Sequence, residues 1–131
     1  MSDHAAERSD GRVGIYLADA DRNVRSAMRL LLEHAADHRV VGEAADAPTL
    51  LAGLVIVLPR LVIVDWALPG LPRHDPLRPL VDGQPELRVV VISVRPGDGD
   101  ASRQAGADGF VCKLEPPERL LGVVAGLMGG G

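Results

Sequence analysis

The sequence predicts an α/β fold in which helices cover both faces of a five-stranded parallel sheet. Apolar runs of strand length alternate with segments of helical length, which is the pattern of consecutive βα units. The runs are continuously apolar, as expected of strands buried on both faces. Hydrophobic residues make up 47% of the 131 residues but aromatic residues only 2%, so Val, Leu, Ile and Ala must form the core. This length suits one domain.

Five runs rich in β-branched residues are the candidate strands. They are "RVGIYLA" (12–18), "RVVGEA" (39–44), "RLVIVD" (60–65), "LRVVVIS" (87–93) and "GFVC" (109–112). We expect residues 12–128 to form the domain, with residues 1–11 and the glycines 129–131 as mobile ends that bury no apolar surface.

The first and last helices are the clearest in the sequence. The first is predicted by apolar residues that recur at helical spacing along one face, namely Val24, Ala27, Met28, Leu31, Leu32 and Ala35. The last is predicted in "PPERLLGVVAGLM", where prolines suit the first turn and Glu118 lies near the positive end of the helix dipole.

The three segments between them should be less regular. The segment 45–58 is apolar almost all round, and its part 50–58 is either unusually buried or a contact surface. Pro72, Pro76 and Pro79 should shorten or break the third helix. The segment "RPGDGDASRQAG" leaves room for only a short fourth helix.

Composition excludes several classes of function. The chain carries 14 basic and 18 acidic residues, for a net charge of −4, and has no cluster of Lys and Arg. We therefore expect no direct nucleic-acid binding by this chain. The single cysteine, Cys112, cannot form an internal disulfide. The polar N-terminus and the lack of a long apolar run predict a cytoplasmic protein with no membrane segment.

The candidate site is found by reading the last residue of each strand. In an open parallel sheet, ligands bind at the carboxyl ends of the strands. The first strand is followed by Asp19, the third ends at Asp65, the fourth ends at Ser93, and Lys113 follows the fifth. Two carboxylates suit Mg²⁺, while a lysine and a hydroxyl suit a phosphoryl group. The combination predicts phosphoryl chemistry on an aspartate.

These residues belong to an ordered set of motifs that covers about residues 12–128. The set comprises "YLADADRNVRSAMRLLLE", "VVGEAADA", "LVIVDWALPG", "VVVIS", "AGADGF" and "CKLEPPERLL". In this order and spacing, the sequence resembles the receiver domains of two-component response regulators, and most closely those of regulators that carry a helix-turn-helix output domain. The resemblance implies a flavodoxin-like, doubly wound sheet with strand order 2-1-3-4-5.

The resemblance also implies roles for the site residues. Asp65 would be the phosphoacceptor, with Lys113 and Ser93 contacting the phosphoryl group, and Ser93 and Phe110 would form the switch. Mg²⁺ would bind Asp19 and Asp65, with the backbone of Ala67 as a further candidate ligand. Such a domain phosphorylates itself but is not a turnover enzyme. The implied partners are a sensor histidine kinase or phosphotransfer protein, and a homodimer is compatible with the resemblance.

The acidic pocket departs from the family pattern. The position that commonly supplies the direct metal ligand is Ala20, and Asp21 comes one residue later. Asp21 either compensates as a ligand or caps the first helix. In the second case Mg²⁺ binds more weakly.

Two alternative functions follow from these residues. Loss of the acid at Ala20 favours a receiver-like binding module that works without phosphorylation. The pattern of an apolar strand followed by Asp19 and Asp21 also resembles haloacid-dehalogenase-like phosphatases, in which Asp19 would be the nucleophile. That resemblance leaves "LVIVDWALPG" unexplained, and it lacks a later acidic pair after Lys113.

Overall fold

The computed structural model describes residues 11–129, and these form a five-stranded parallel sheet with helices on both faces. The strands are β1 (Val13–Ala18), β2 (His38–Ala44), β3 (Leu61–Asp65), β4 (Arg88–Ser93) and β5 (Gly109–Cys112). The helices are α1 (Arg22–His34), α2 (Ala47–Val57), α3 (Arg78–Val81), α4 (Asp98–Gln104) and α5 (Pro117–Met128). The predicted mobile ends, 1–11 and 129–131, lie outside the described residues except for Gly11 and Gly129.

The strand order is β2-β1-β3-β4-β5, which confirms the predicted flavodoxin-like topology. All four strand pairs are parallel. The order reverses beside β1 and β3, so the residues that follow these strands meet at the carboxyl edge of the sheet. This is the edge where the sequence placed Asp19 and Asp65.

Side chains that alternate along each strand divide the core into two layers. One layer packs beneath α2 and α3 and includes Val62, Val64 and Leu54. The other packs beneath α1 and α5 and includes Ile63, Leu32 and Val124. Because the sheet is covered on both faces, its inner strands β1, β3 and β4 are apolar at nearly every position, whereas the edge strand β2 also carries His38, Arg39 and Glu43.

The third and fourth helices are short, as predicted. α3 has four residues and α4 has seven. The three prolines around α3 limit backbone hydrogen bonding there, and the Gly-rich start of α4 lowers its helix propensity. None of the helices in residues 11–129 is long and apolar enough to cross a membrane.

Helix α2 is buried on one face and exposed on the other, which its uniformly apolar composition did not indicate. Leu50 and Leu54 are buried, whereas Val55 and Ile56 are 70% and 67% exposed. The expectation of an unusually buried helix is therefore wrong for its outer face. Since both faces carry apolar residues, hydrophobic periodicity gives no indication of which face meets the sheet.

Candidate functional site

Three charged side chains meet at the carboxyl edge of the sheet. Asp19 follows β1, Asp65 ends β3 and Lys113 follows β5. The Lys113 ammonium donates to Oδ2 of Asp19 at 2.6 Å and to Oδ2 of Asp65 at 3.2 Å. Lys113 lies 94 positions after Asp19 and 48 positions after Asp65, so one cation joins residues that are far apart in the chain. We call this group the Asp19–Lys113–Asp65 cluster.

The cluster is largely shielded from water. The exposed fraction is 1% for the Asp19 side chain, 14% for Asp65 and 19% for Lys113. Burial alone would lower the pKa of Lys113, but hydrogen bonds and charge attraction from Asp19 and Asp65 outweigh it, so that pKa is raised. The ammonium is therefore charged at neutral pH and offsets part of the repulsion between the two carboxylates.

The backbone fixes the orientation of both carboxylates. Oδ1 of Asp19 accepts a hydrogen bond from the backbone N–H of Asp21 at 2.8 Å. Oδ1 of Asp65 accepts one from the backbone N–H of Ala67 at 3.1 Å. In each residue, one carboxylate oxygen is held by the following turn while the other contacts Lys113.

Asp21 is the N-cap of helix α1. Its Oδ1 accepts from the backbone N–H of Asn23 at 2.8 Å, which satisfies a donor at the start of the helix. Ala20 is exposed and offers no side-chain ligand. The acidic pocket is thus formed by Asp19 alone on this turn, with Asp21 occupied in the cap.

Arg25 secures the same turn, a role that sequence reasoning missed. Its Nη1 donates to the backbone carbonyl of Asp19 at 2.7 Å, and its Nε contacts Glu43 on β2 at 2.9 Å. Glu43 also pairs with Arg29 at 2.6 Å. Burial would raise the pKa of Glu43, but hydrogen bonds from Arg29 and Arg25 lower it overall. The motif set contains no signal for this network because it joins α1 to β2 across 18 residues.

Ser93 is buried at the end of β4, with 4% of its surface exposed. Its hydroxyl donates to Oδ2 of Asp98 at 2.7 Å and accepts from the backbone N–H of Arg95 at 3.1 Å. Sequence reasoning placed Ser93 at the site edge but did not single out Asp98. Phe110, the predicted switch aromatic, is also buried, with 8% exposed.

A cleft of about 410 Å³ opens beside the cluster. Its lining includes Asp65, Lys113 and Ser93, together with Trp66, Ala67, Val94, Arg95 and Asp98. The cleft therefore gives solvent-borne groups access to Asp65 from the side of β4.

Cys112, on the adjoining strand β5, is buried and is a free cysteine, in agreement with its interpretation as a core residue.

The donor set fits a magnesium ion that keeps several waters. Mg²⁺ is commonly bound through one or two protein carboxylates, and Asp19 and Asp65 supply two. Within residues 11–129 no group of three or more His, Cys, Asp and Glu side chains is arranged to hold a metal. The site thus offers Mg²⁺ two protein carboxylates, and waters would complete the coordination of the ion.

Comparison with known proteins places this geometry in a family. Residues 15–125 match the model of the response regulator receiver domain. The chain is 31% identical over 109 residues to the nitrate/nitrite response regulator protein NarL of Escherichia coli K12, covering 82% of this chain and 50% of NarL. It is also 31% identical over 120 residues to the transcriptional activator protein ExaE of Pseudomonas putida, covering 90% and 56%. The chain therefore spans about half the length of these relatives.

A solved structure supports the same assignment. The two-component response regulator of the LuxR family from Aurantimonas sp. SI85-9A1 superposes with a TM-score of 0.81 at 28% identity, covering 91% of this chain and 86% of that one. Receiver domains of response regulators interact with kinases, bind Mg²⁺ in general and are generally not turnover enzymes. With a family match over residues 15–125, this chain belongs to the response regulator receiver domain family.

Proposed function

We propose that this receiver domain accepts a phosphoryl group on Asp65 and uses it to change a protein-interaction surface. The observation that carries the proposal is the Lys113 ammonium shared between Asp19 and Asp65 beside an open cleft. A partly buried lysine at this position offers a fixed positive charge to a phosphoryl oxygen. The phosphodonor is a phosphohistidine on a sensor kinase or phosphotransfer protein in the cytoplasm, or a small acyl phosphate.

The proposed transfer depends on Mg²⁺ and moves a phosphoryl group from the donor to Asp65. A carboxylate oxygen of Asp65 attacks phosphorus and forms a new O–P bond. The bond from phosphorus to the donor breaks, and its electron pair stays on the departing imidazole nitrogen or carboxylate oxygen. Lys113 stays protonated and offsets the charge on the equatorial oxygens.

Asp19 and Asp65 are the residues that would hold Mg²⁺ here, with the backbone of Ala67 as a further ligand. When bound, the ion supplies charge neutralisation for the phosphoryl oxygens. We assign Asp21 to the helix cap and not to the metal, because its Oδ1 is engaged with Asn23. The proposed consequence is weak Mg²⁺ binding.

The signal is proposed to spread from Ser93 to the helix that follows it. Its hydroxyl would turn from its present partners to a phosphoryl oxygen, and Phe110 would move into the space that Ser93 vacates. A local change of charge thereby becomes a change in the surface of β4, α4 and β5. The proposal assigns this function to the domain at 12–128, with a kinase or phosphotransfer protein as its partner, and it is compatible with a homodimer.

A second candidate is a receiver-like module that binds its partner without phosphorylation. It is favoured by one observation, the exposed Ala20 beside a capping Asp21, which leaves two carboxylates for the metal. The two functions differ in whether Asp65 can form a phosphoryl adduct at all.

The test is the intact mass of the protein after incubation with acetyl phosphate and Mg²⁺. Wild type is compared with Asp65→Asn and Asp19→Asn, and with Asp82→Asn as a control on the surface, where the Asp82 side chain is 63% exposed. We expect one phosphoryl adduct in wild type and in Asp82→Asn, none in Asp65→Asn, and a slower reaction in Asp19→Asn.

Other outcomes identify the alternatives. If wild type forms no adduct with acetyl phosphate or with a phosphorylated histidine donor at high Mg²⁺, the binding module replaces the phosphoacceptor. If the adduct persists in Asp65→Asn and disappears in Asp19→Asn, Asp19 is the nucleophile, as in haloacid-dehalogenase-like phosphatases.

A further inference from the structure

The one proton of the Ser93 hydroxyl is already engaged in this structure. Its single proton is donated to Oδ2 of Asp98 at 2.7 Å, and its oxygen accepts from the backbone N–H of Arg95 at 3.1 Å. A hydroxyl has one proton to donate. Ser93 cannot donate to a phosphoryl oxygen on Asp65 without first leaving Asp98.

Asp98 is placed to oppose a phosphoryl group by charge as well. It is partly buried and lines the same cleft as Asp65 and Lys113. A phosphoryl group on Asp65 carries close to two negative charges but replaces the single charge of the carboxylate, so it adds about one negative charge to this cleft. Without the Ser93 proton, the Asp98 carboxylate would face that added charge with one hydrogen-bond donor fewer, which favours its movement away from the cleft.

Asp98 also begins the helix that contacts the switch aromatic. It is the first residue of α4, and Gly99 follows it. A Cβ placed on Gly99 would lie 3.2 Å from Cδ2 of Phe110, so the ring packs directly against this turn. The buried Ser102 hydroxyl donates to the Gly99 carbonyl at 2.8 Å and fastens the turn to the rest of α4. Asp98 therefore contacts Ser93, and the next residue, Gly99, packs against Phe110.

We infer that Asp98 is a positioning residue that holds Ser93 in the unphosphorylated arrangement and competes with the phosphoryl group for its hydroxyl. The inference rests on the proposed function and adds to it a restraint contributed by α4. Release of Asp98 frees the first turn of α4 at the point where it packs against Phe110. The restraint therefore couples the chemistry at Asp65 to the start of α4.

The experiment measures binding of beryllium fluoride, a phosphoryl mimic, by calorimetry in the presence of Mg²⁺. The variants are Asp98→Ala, which removes the acceptor, and Asp98→Asn, which keeps its shape. Asp100→Ala is the matched control, because Asp100 lies two residues further on α4 with a side chain 94% exposed. We expect Asp98→Ala to bind about three- to ten-fold more tightly than wild type, the scale of one net hydrogen bond, and Asp100→Ala to match wild type.

A double-mutant cycle separates the hydrogen bond from simple charge repulsion. If Asp98 acts through the Ser93 hydroxyl, the gain from Asp98→Ala is smaller in a Ser93→Ala background than in wild type, and what remains there measures charge repulsion alone. An equal gain in both backgrounds overturns the inference, since it shows only the removal of a nearby charge. Equal affinities in wild type, Asp98→Ala and Asp98→Asn overturn it as well.

Failure of the proposed function has a different signature. In that case neither wild type nor any Asp98 variant binds beryllium fluoride, and none takes a phosphoryl adduct from acetyl phosphate. Binding by wild type with no effect at Asp98 removes only the inference about Asp98. Circular dichroism of each variant confirms that the fold is retained.

Discussion

The packing of the Tyr16 ring against Gly53 predicts that the same Gly→Ala substitution will have opposite effects in two helices. Tyr16 lies on β1 with 4% of its surface exposed. A Cβ on Gly53, within α2, would lie 2.7 Å from Cζ and 2.9 Å from Cε2 of its ring. In contrast, a Cβ on Gly122, within α5, would meet nothing within 4 Å. Both glycines are at interior positions of regular helices.

The magnitudes follow from two opposing contributions. Replacing Gly by Ala inside a helix stabilises it by about 1 kcal/mol. Forcing an extra methyl group into a packed site costs about 1–3 kcal/mol. We therefore expect Gly122→Ala to raise the free energy of unfolding by about 1 kcal/mol and Gly53→Ala to lower it by about 1 kcal/mol. The difference of about 2 kcal/mol between two identical substitutions is the cost of the overlap with Tyr16.

Urea unfolding followed by circular dichroism measures both values. Tyr16→Phe, which removes the hydroxyl next to Gly53, should recover part of the stability lost in Gly53→Ala and leave the effect of Gly122→Ala unchanged. If Gly53→Ala stabilises the domain as much as Gly122→Ala does, the Tyr16 ring does not fill the space beside α2. That result would refute the packing argument.

Three further predictions concern the carboxyl edge of the sheet. Asp21→Ala should lower stability in urea unfolding by about 1 kcal/mol through loss of the cap, yet leave adduct formation with acetyl phosphate within about two-fold of wild type; a complete loss of adduct would make Asp21 a ligand. Lys113→Met should slow that reaction by about 10- to 100-fold in intact-mass time courses, because one charge-assisted contact to the phosphoryl group is lost. Because the folded-state pKa of Glu43 lies below its ordinary value of 4.5, its stabilising contribution is present above that pH and is lost as the pH falls through the folded pKa. Urea unfolding of Glu43→Gln should accordingly show lower stability at neutral pH and a smaller further loss in acid, whereas an acid profile parallel to that of wild type would contradict the pKa assignment.

The sequence was sufficient to predict the sheet, the first and last helices, and the convergence of Asp19, Asp65 and Lys113. Buried parallel strands must be apolar on both faces, so β1, β3 and β4 stand out as continuous runs. Once those strands are in place, Asp19, Asp65 and Lys113 are brought to one edge by topology alone, without any knowledge of side-chain packing.

The sequence was insufficient where a side chain finds its partner through tertiary structure. Glu43 and Arg25 are ordinary surface residue types, and only the packing of α1 against β2 brings them together at 2.9 Å. Asp98 is separated from Ser93 by a four-residue turn whose conformation its single glycine, Gly97, does not specify in advance. For α2, the uniform apolar composition hides the orientation, which is set by Leu50 and Leu54 entering the core.

The turn after β1 bears on how the proposed phosphoryl chemistry would proceed in a pocket with one fewer acid. The Asp19–Lys113–Asp65 cluster carries a formal charge of about −1, which is less than a pocket with a further acid at position 20 would carry. Lower negative charge weakens the attraction for Mg²⁺, since ligand charge helps to set the affinity for a cation. The same change reduces repulsion of an incoming phosphoryl group, and Arg25 fixes the turn by donating to the Asp19 carbonyl. The loss of an acid at Ala20 is therefore expected to affect the metal affinity more than the ability of Asp65 to accept a phosphoryl group.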